Sequence, residues 1–501
     1  MIVAVWAAGT VAYGLAMLRW LRVAQREHYL SWTVTRFATR WWTIRSTNLA
    51  LFVVAVAAVG LALVYPAVGL LTAAVVGVGP LGLTIAGHTA PLRWTKRMRR
   101  LAVAVIALSA LLVSVAFLLD RGAVAWLAAG LLMPGLIDVT LAIVAPIERR
   151  LSARFVDQAT RTLAQIAPTV VAITGSYGKT TTKAYLLRLL RDRRATVASP
   201  ASFNNRMGLA RAINEHLVSG TEVFLAEMGT YGVGEIADLC RWIGPTVGVI
   251  TAIGPVHLER FGSLDEIVKA KSEILDKARA AVLNVDDPRL AVLADQIDRV
   301  VIRCSTQDPA ADVFVDVGGD GGVYVRETRV ATLDDASVFA TNLSCAIGAL
   351  LALGLPMTGI ERAVGDLPGA DHRRTVSVSD LGFTIVDDTY NSNPAGARAA
   401  LATLERVGTG GRRVLVTPGM VELGKRQHEE NRDLAALAAG RVTDLVIVGR
   451  TNRAALREGT ATGAASVIVV DSREDAVNWV RANLGEGDVV LYENDLPDHY
   501  P

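Results

Sequence analysis

The amino-acid sequence predicts an α/β protein with an N-terminal bundle of about five transmembrane helices, a central mostly parallel α/β domain and a C-terminal α/β domain. Three observations support this prediction. Long apolar stretches are confined to the first third, a buried strand is followed by a glycine turn and a helix near residue 175, and strand and helix patterns alternate after residue 375. The predicted domains are residues 1–150, 151–374 and 375–501.

Composition separates the first part of the chain from the rest. The 501 residues are 51% hydrophobic, with a mean hydropathy of +0.36 that is high for a wholly soluble protein. Residues 1–150 contain 14 Lys and Arg against 4 Asp and Glu, whereas residues 151–501 contain 37 against 44. The acidic remainder argues against nucleic acid as a partner. The three cysteines are widely spaced and form no CxxC pair, which favours a reducing, cytoplasmic setting.

Five apolar stretches have about the length that a bilayer core requires, roughly 20 helical residues. They are residues 2–18, 49–65, 67–88, 101–119 and 123–147. Arginine and lysine are concentrated in the first and third connections, so the positive-inside rule places the N-terminus outside and the chain after residue 150 in the cytoplasm. The sequence therefore predicts a multi-pass protein of the plasma membrane, in contact with membrane lipid. Asp138 lies in the last stretch, and we expect it to face neighbouring helices rather than to be functional.

Residues 170–183, VVAITGSYGKTTTK, combine an apolar strand, a glycine turn and the start of a helix. Backbone N–H groups and the helix dipole then point at one anion, which predicts a P-loop for a nucleotide phosphate. Lys179 would reach the terminal phosphates and the Thr180 hydroxyl would bind Mg²⁺. A glycine turn that only caps a helix is the alternative. The predicted phosphate-binding residues are Gly175, Ser176, Tyr177, Gly178, Lys179, Thr180 and Thr181.

Three later residues extend this candidate site. Glu227 ends the apolar segment EVFLAE, the pattern of a carboxylate directed at the same metal ion. His257 follows the next apolar segment, and Lys271 lies fourteen residues later on a predicted helix. A histidine is more often structural and a helical lysine is more often solvated, but together with the P-loop both become candidates.

Eight motifs in a fixed order resemble the Mur ligases, ATP-dependent enzymes of cell-wall synthesis that form amide bonds. The resemblance spans residues 168 to 495 and is strongest to the branch that adds D-alanyl-D-alanine to a UDP-muramoyl tripeptide. It implies a central P-loop ATPase domain and a C-terminal Rossmann-like domain, with the transmembrane region in place of a UDP-binding domain. The motifs are TGSYGKTTTK, SFNNRMG, AEMGTYGVGEI, HLERFGS, KAKSEIL, LNVDD, DDTYNSNP and MVELG.

The resemblance also implies roles for residues at matching positions. Thr180 and Glu227 would bind the first of two Mg²⁺ ions and His257 the second, and Lys271 matches a lysine that many members carry as a carbamate. The implied catalytic residues are Lys179, His257 and Lys271. The implied nucleotide contacts outside the P-loop are Asn284, Asn342, Arg373 and Asp388, with a plain helix N-cap as the alternative for Asn342. The implied substrate contacts are Asn204, Asn205, Asn391 and Asn393.

The implied function is a membrane-anchored, ATP-dependent amide ligase that acts through an acyl phosphate. Its donor would be a carboxylate of a cell-envelope or peptidoglycan precursor, in free or lipid-linked form, and its acceptor the amine of an amino acid or dipeptide. A poly-γ-glutamate-type synthase is one alternative. The other is a P-loop ATPase coupled to membrane transport, against which the missing LSGGQ-like signature counts.

Overall fold

The structure is a computed structural model with two compact units. It describes residues 2–86, 91–200, 203–318, 322–325, 327–332, 340–367, 375–389, 393–408, 410–461, 463–495 and 500. The first unit comprises residues 1–151, 449–451 and 496–501, and the second comprises residues 152–448 and 452–495.

The first unit is helical, and its apolar core contains the large buried side chains Trp20, Trp41, Met98 and Ile137. Its helices, the last of which continues into the second unit, are α1 (Ile2–Arg26), α2 (Thr33–Thr43), α3 (Ser46–Ala62), α4 (Gly69–Val78), α5 (Lys96–Phe117), α6 (Gly122–Leu131) and α7 (Met133–Ile166).

The prediction of about five transmembrane helices is wrong. Among the described residues, only α1 and α5 are single helices long and apolar enough to cross a membrane. The number rises to at most four if the bent pairs α2–α3, at 111°, and α6–α7, at 82°, each count as one span. The predicted multi-pass location in the plasma membrane, with an external N-terminus, is contradicted by the same finding.

Prolines explain two of the missing spans. In the described part of the predicted stretch 67–88, the single α-helix is the short α4, which ends before Gly79 and Pro80. The stretch 123–147 is broken after Leu131, because Pro134 has no amide hydrogen to donate and its ring would clash with the preceding turn of a continuous helix. Apolar composition alone does not reveal these breaks, so counting apolar residues overestimated the spans.

Asp138 is fully buried and faces α2, a neighbouring helix, as predicted. Its two carboxylate oxygens accept hydrogen bonds from the backbone N–H groups of Val34, at 3.3 Å, and Thr35, at 2.7 Å. These N–H groups lie in the first turn of α2, where no intrahelical acceptor exists. The carboxylate therefore caps α2 and compensates the positive end of its dipole.

We expect Asp138→Ala to lower the free energy of unfolding of the first unit by about 1–2 kcal/mol, because two backbone N–H groups, that of Val34 buried and that of Thr35 partly buried, lose their acceptor. Seven of the nine tryptophans lie before residue 151, so urea unfolding followed by tryptophan fluorescence measures mainly this unit. Asp157→Ala, an exposed position on the same helix, is the matched control. Equal unfolding midpoints for the two variants would contradict the capping role.

The second unit contains two mixed sheets that are mainly parallel, which confirms the α/β prediction. In the described residues, the first sheet has the strand order β2-β3-β1-β4-β5-β6-β7-β8-β9 and is parallel up to β7, then antiparallel. Its strands are β1 (Thr169–Thr174), β2 (Thr196–Ala198), β3 (Val223–Glu227), β4 (Val247–Ile250), β5 (Ala280–Asn284), β6 (Val300–Ser305), β7 (Val313–Val317), β8 (Gly322–Val325) and β9 (Thr328–Thr332).

Helices cover both faces of the first sheet, which is why its central strands are continuous apolar runs. Val170 and Ala172 of β1 pack into one core cluster, whereas Val171 and Ile173 pack into the other, against α8 and α14. The helices associated with this sheet are α8 (Lys179–Leu190), α9 (Arg206–His216), α10 (Glu235–Ile243), α11 (Leu258–Phe261), α12 (Leu264–Ser272), α13 (Pro288–Gln296), α14 (Ala340–Ala352) and α15 (Glu361–Gly365).

The second sheet has the order β10-β11-β15-β12-β13-β14, with only the edge pair β10–β11 antiparallel among the described strands. Strands β10 to β15 are Thr375–Val378, Thr384–Asp388, Arg413–Thr417, Asp444–Val448, Ser466–Val470 and Val489–Glu493. Helices α16 to α19 are Pro394–Val407, Gln427–Ala439, Arg453–Gly459 and Arg473–Asn483. The alternation of strands and helices predicted after residue 375 is confirmed.

Candidate functional site

The candidate site lies at the carboxyl edge of the first sheet. Strands β3, β1, β4 and β5 are neighbours there, although β1 precedes β3 in the chain. Glu227 ends β3, the P-loop follows β1, His257 follows β4 and Asn284 ends β5. Open α/β sheets bind ligands at this edge, where the strand order reverses.

The glycines of the P-loop allow close contacts that a side chain would prevent. A Cβ on Gly178 would lie 2.2 Å from Oδ1 of Asn342, and its φ of +78° is unfavourable for other residues. A Cβ on Gly175 would lie 2.0 Å from the Thr251 hydroxyl oxygen. Helix α8 begins immediately after this turn, and its N-cap residue, Gly178, has no side chain to cap it. Its first N–H groups are therefore available to an anion.

Lys179 lies over its own loop. Its ammonium donates to the backbone oxygen of Gly175 at 2.8 Å and to that of Ser176 at 3.5 Å. The Ser176 hydroxyl donates to the backbone oxygen of Gly254 at 3.0 Å and accepts from its N–H at 2.9 Å, which fixes the P-loop to the segment after β4. Tyr177 packs against the same glycine, and Thr181 is buried in α8.

Thr180 and Glu227 lie together, as the sequence predicts. The Thr180 hydroxyl donates to Oε2 of Glu227 at 3.0 Å, and the Asn204 amide donates to Oε1 at 3.3 Å. Lys183 donates to Oε2 at 2.9 Å and to the backbone oxygen of Ser199 at 2.8 Å. Both members of the ion pair are almost fully buried, with 7% of the Lys183 side chain and 3% of the Glu227 side chain exposed.

Sequence reasoning missed Lys183. Burial by itself raises the pKa of the Glu227 carboxyl, but the Lys183 cation, with Lys179 and the Thr180 hydroxyl, brings the net pKa below the ordinary value. Glu227 is therefore held as an anion at neutral pH. The sequence contained a pattern that predicts this role of Lys183. Residues three apart on a helix lie on the same face, and Lys183 follows Thr180 at that spacing.

The described residues contain no group of three His, Cys, Asp or Glu side chains placed to hold a metal ion. Mg²⁺ does not need such a group, since it keeps several waters and binds through one or two carboxylates together with substrate phosphates. The hard oxygens of Thr180 and Glu227 beside the P-loop fit this requirement. These residues are therefore suited to hold Mg²⁺.

Lys271 is buried in the last turn of α12 with 5% of its surface exposed. Its side-chain amine makes no hydrogen bond or ion pair within the described part of the chain. Burial, and secondarily the charge of Lys179, holds the pKa of its amine well below the ordinary value. A lysine with a lowered pKa carries a larger fraction of nucleophilic, neutral amine at neutral pH.

His257 contacts the C-terminal domain. Its Nδ1 is hydrogen bonded to Oε2 of Glu422, in the segment after β12, and its ring forms a T-shaped pair with the ring of Tyr231, with the centroids 4.8 Å apart. The backbone oxygen of Glu422 also accepts from the N–H of Glu259 at 3.3 Å. Sequence reasoning gave Glu422, within the motif MVELG, no role.

The remaining predicted residues occupy several places. Asn284 donates to the backbone oxygen of Thr251 at 3.1 Å and so joins the ends of β4 and β5. Asn342 lies within α14 against Gly178, whereas Asn205 and Asn393 are N-caps of α9 and α16. Arg373 and Asn391 fall outside the described residues.

Asp388 and Glu493 are register partners at the carboxyl ends of β11 and β15. Glu493 is fully buried and accepts a hydrogen bond from the Thr417 hydroxyl. Burial, reinforced by the Asp388 carboxylate and opposed by the Thr417 hydrogen bond, raises the pKa of Glu493 to about 8. The chain therefore holds a neutral carboxylic acid at this edge of the second sheet at neutral pH.

This group should make stability depend on pH. The pKa of the Glu493 carboxyl is raised from 4.5 to about 8 in the folded protein. The contribution of this group to the free energy of unfolding is therefore complete below pH 4.5 and is lost as the pH rises to about 8. We expect Glu493→Gln, which keeps an acceptor for Thr417, to remove this loss and to stabilise the protein by a few kcal/mol above about pH 8. Urea unfolding across this range, with the exposed Glu486→Gln as control, measures the effect. Parallel pH profiles for wild type and Glu493→Gln would contradict it.

Comparisons with known proteins agree with this arrangement. The family described as "Mur ligase middle domain" matches residues 173–330, and the family described as "Mur ligase, glutamate ligase domain" matches residues 372–492. The chain is 32% identical over 363 residues to the UDP-N-acetylmuramoyl-tripeptide–D-alanyl-D-alanine ligase of Mycobacterium tuberculosis, an alignment that covers 64% of this chain and 69% of the relative. The Bacillus subtilis enzyme of the same name is 25% identical over 338 residues, covering 66% of this chain and 74% of the relative.

A solved structure gives the same result. The crystal structure of MurF ligase from Thermotoga maritima in complex with ADP superimposes with a TM-score of 0.59 at 25% identity, covering 68% of this chain and 80% of that chain. The middle-domain match contains the P-loop, Glu227 and Lys271. The chain belongs to the Mur ligase family of ATP-dependent enzymes that form amide bonds.

Proposed function

We propose that the protein joins the peptide carboxylate of a peptidoglycan precursor, a UDP-muramoyl tripeptide, to the amino group of D-alanyl-D-alanine. The observation that carries this proposal is the 32% identity, over 69% of its length, to a relative named for that reaction. The candidate P-loop, the Thr180–Glu227 pair and the buried Lys271 supply the groups that ATP-dependent activation of a carboxylate requires.

The proposed reaction has two steps. The donor carboxylate attacks the γ-phosphate of ATP, which gives an acyl phosphate and ADP. The acceptor amine then attacks the acyl carbon and releases phosphate. The N–H groups at the start of α8 and the Lys179 ammonium bind and orient the terminal phosphates, so that the nucleophile and the phosphorus approach in line.

Thr180 and Glu227 would hold one Mg²⁺ ion and His257 a second. When bound, Mg²⁺ neutralises negative charge on the transferring phosphoryl group. Lys183 keeps Glu227 ionised and its carboxylate fixed in position. Asn284 and Asn342 would contact the nucleotide from β5 and α14, and Asp388 from β11. Asn204 and Asn393 would lie on the substrate side.

Lys271 would carry a carbamate. Its neutral amine attacks CO₂, a carbon–nitrogen bond forms as one carbon–oxygen π bond opens, and one proton is released, which converts a neutral amine into an anion next to Lys179. Carbon-13 NMR of the protein in labelled bicarbonate tests this modification directly, because Lys271→Ala must abolish the carbamate resonance. A resonance that persists in the variant would assign it to another amine.

The reaction is tested with purified protein, ATP, Mg²⁺, UDP-muramoyl tripeptide and D-alanyl-D-alanine. We expect ADP release that depends on both substrates and a condensed product visible by mass spectrometry. L-alanyl-L-alanine is the matched acceptor control, and glutamate as sole donor and acceptor tests for a polymerising ligase. Product from glutamate but not from the tripeptide would refute the proposed substrates.

A further inference from the structure

The contact between His257 and Glu422 joins two parts of the second unit that are far apart in the chain. His257 belongs to the segment after β4 of the first sheet, and Glu422 to the segment after β12 of the second sheet. The side chains are joined by a hydrogen bond between Nδ1 of His257 and Oε2 of Glu422. The main chains are joined by a hydrogen bond from the N–H of Glu259 to the backbone oxygen of Glu422. About a quarter of each side chain is exposed, 27% for His257 and 26% for Glu422, so solvent and ligands can reach the pair.

The hydrogen bond determines which ring nitrogen is left for a ligand. Nδ1 of His257 is occupied by its hydrogen bond to Oε2 of Glu422, and opposite an ionised carboxylate, which can only accept, it is the donor. In a neutral imidazole Nε2 then carries the lone pair. Within the described residues Nε2 makes no hydrogen bond, and it is therefore the nitrogen available to bind a cation.

Backbone conformation gives a second, independent indication of function. His257 has a φ of +57° and Glu422 a φ of +64°, although neither is glycine. Such conformations cost about 1–3 kcal/mol each and are concentrated at functional sites. Here two residues with this backbone conformation, His257 and Glu422, are bonded to each other through their side chains.

We propose that Glu422 is a positioning residue for the metal site. It holds the His257 ring with Nε2 free for the second Mg²⁺ ion, and it thereby makes the affinity for that ion depend on the position of the C-terminal domain. This inference rests on the proposed function, since it takes His257 as a metal ligand. Histidines that bind metals commonly donate their other N–H to a carboxylate, and loss of that partner typically weakens metal binding by about 10–100-fold.

Coupling between the two domains follows from this arrangement. If the C-terminal domain moves away, His257 loses its partner and binds the ion less well. By linkage, a bound ion must favour the contact between the domains to the same extent. Sequence reasoning alone could not place this pair, because 165 residues separate its members.

The test uses Mn²⁺ with ADP as the probe, because Mn²⁺ is paramagnetic and reports directly bound nitrogen. We expect pulsed electron paramagnetic resonance of the wild-type protein to show nitrogen-14 coupling from one imidazole, and His257→Ala to abolish it. Glu422→Ala should weaken the binding of that Mn²⁺ ion by about 10–100-fold, and Glu422→Gln, which keeps an acceptor, by less. Glu429→Ala, an exposed glutamate nearby, should match the wild type.

The double variant distinguishes positioning from a general effect on folding. If Glu422 acts only through His257, then Glu422→Ala combined with His257→Ala binds Mn²⁺ no more weakly than His257→Ala alone. Additive losses, wild-type affinity in Glu422→Ala, or a wild-type protein without nitrogen coupling would each overturn the proposal. Circular dichroism confirms that the variants are folded.

Failure of the proposed reaction can be distinguished from failure of the positioning role of Glu422. A protein that shows the expected Mn²⁺ and nitrogen behaviour, but forms no product from the tripeptide and D-alanyl-D-alanine, would refute those substrates and support the positioning role of Glu422. The Mn²⁺ measurement needs only ADP, so it does not depend on which donor and acceptor the enzyme uses.

Discussion

We expect Lys179→Met to lower the rate of ATP-dependent amide formation by about 10³-fold, because the ammonium that would orient and neutralise the terminal phosphates is lost. Methionine keeps a long unbranched side chain without charge, so the fold of the P-loop should be preserved. Steady-state ADP release, measured with coupled enzymes, gives the rate. Binding of ADP is measured in parallel, and its loss should be smaller than the loss of rate.

Arg211→Met is the matched control, since the exposed Arg211 pairs with the exposed Glu215 on α9. It should leave the rate within about two-fold of the wild type, in line with the small effects of most surface substitutions. If Lys179→Met retained more than a tenth of the wild-type rate, the phosphate-binding role of the loop would be wrong.

The second large effect concerns stability. Lys183→Met leaves the Glu227 carboxylate buried without its cation, and we expect it to lower the free energy of unfolding by about 3–5 kcal/mol. Replacing both partners, Lys183→Met with Glu227→Gln, should recover most of this loss, because no uncompensated charge remains. Urea unfolding followed by circular dichroism measures these differences, in EDTA so that no divalent cation stabilises Glu227.

Lys269→Met serves as the control, because Lys269 lies in the same domain with 65% of its side chain exposed. Its free energy of unfolding should differ from the wild type by less than about 0.5 kcal/mol. A double variant as unstable as Lys183→Met alone would show that the loss arises from packing and not from the unpaired carboxylate.

Local sequence patterns predicted the catalytic part of the fold well. The run VVAIT, the glycine turn and the helix after it occur as predicted, because each is specified by residues close together in the chain. Placing Glu227 beside Thr180 required only that parallel strands end at one edge, which the alternating strand and helix patterns already indicate. The cross-sheet contact of Glu422 depends on tertiary structure that no local pattern contains.

The N-terminal part shows where composition misleads. Its stretches are apolar enough for membrane helices, but Pro80 and Pro134 interrupt them, and Trp41 and Asp138 are buried within the helical unit itself. Apolar side chains are suited both to a protein core and to contact with lipid, and hydropathy does not distinguish these two environments. Here the two environments are distinguished by the breaks in the helices and by the partners of buried polar groups.

The order of strands in the first sheet bears on how the chain is synthesised. β1, which leads into the P-loop, pairs with β3 and β4, and both are made later. In a nascent chain that ends before residue 223, the apolar strand β1 is therefore present without either of its neighbours, β3 and β4. Pairing that spans so many residues is slow compared with local helix formation, and unpaired apolar strands aggregate readily. The ribosome-bound intermediate, rather than the finished enzyme, is thus the form most in need of chaperones.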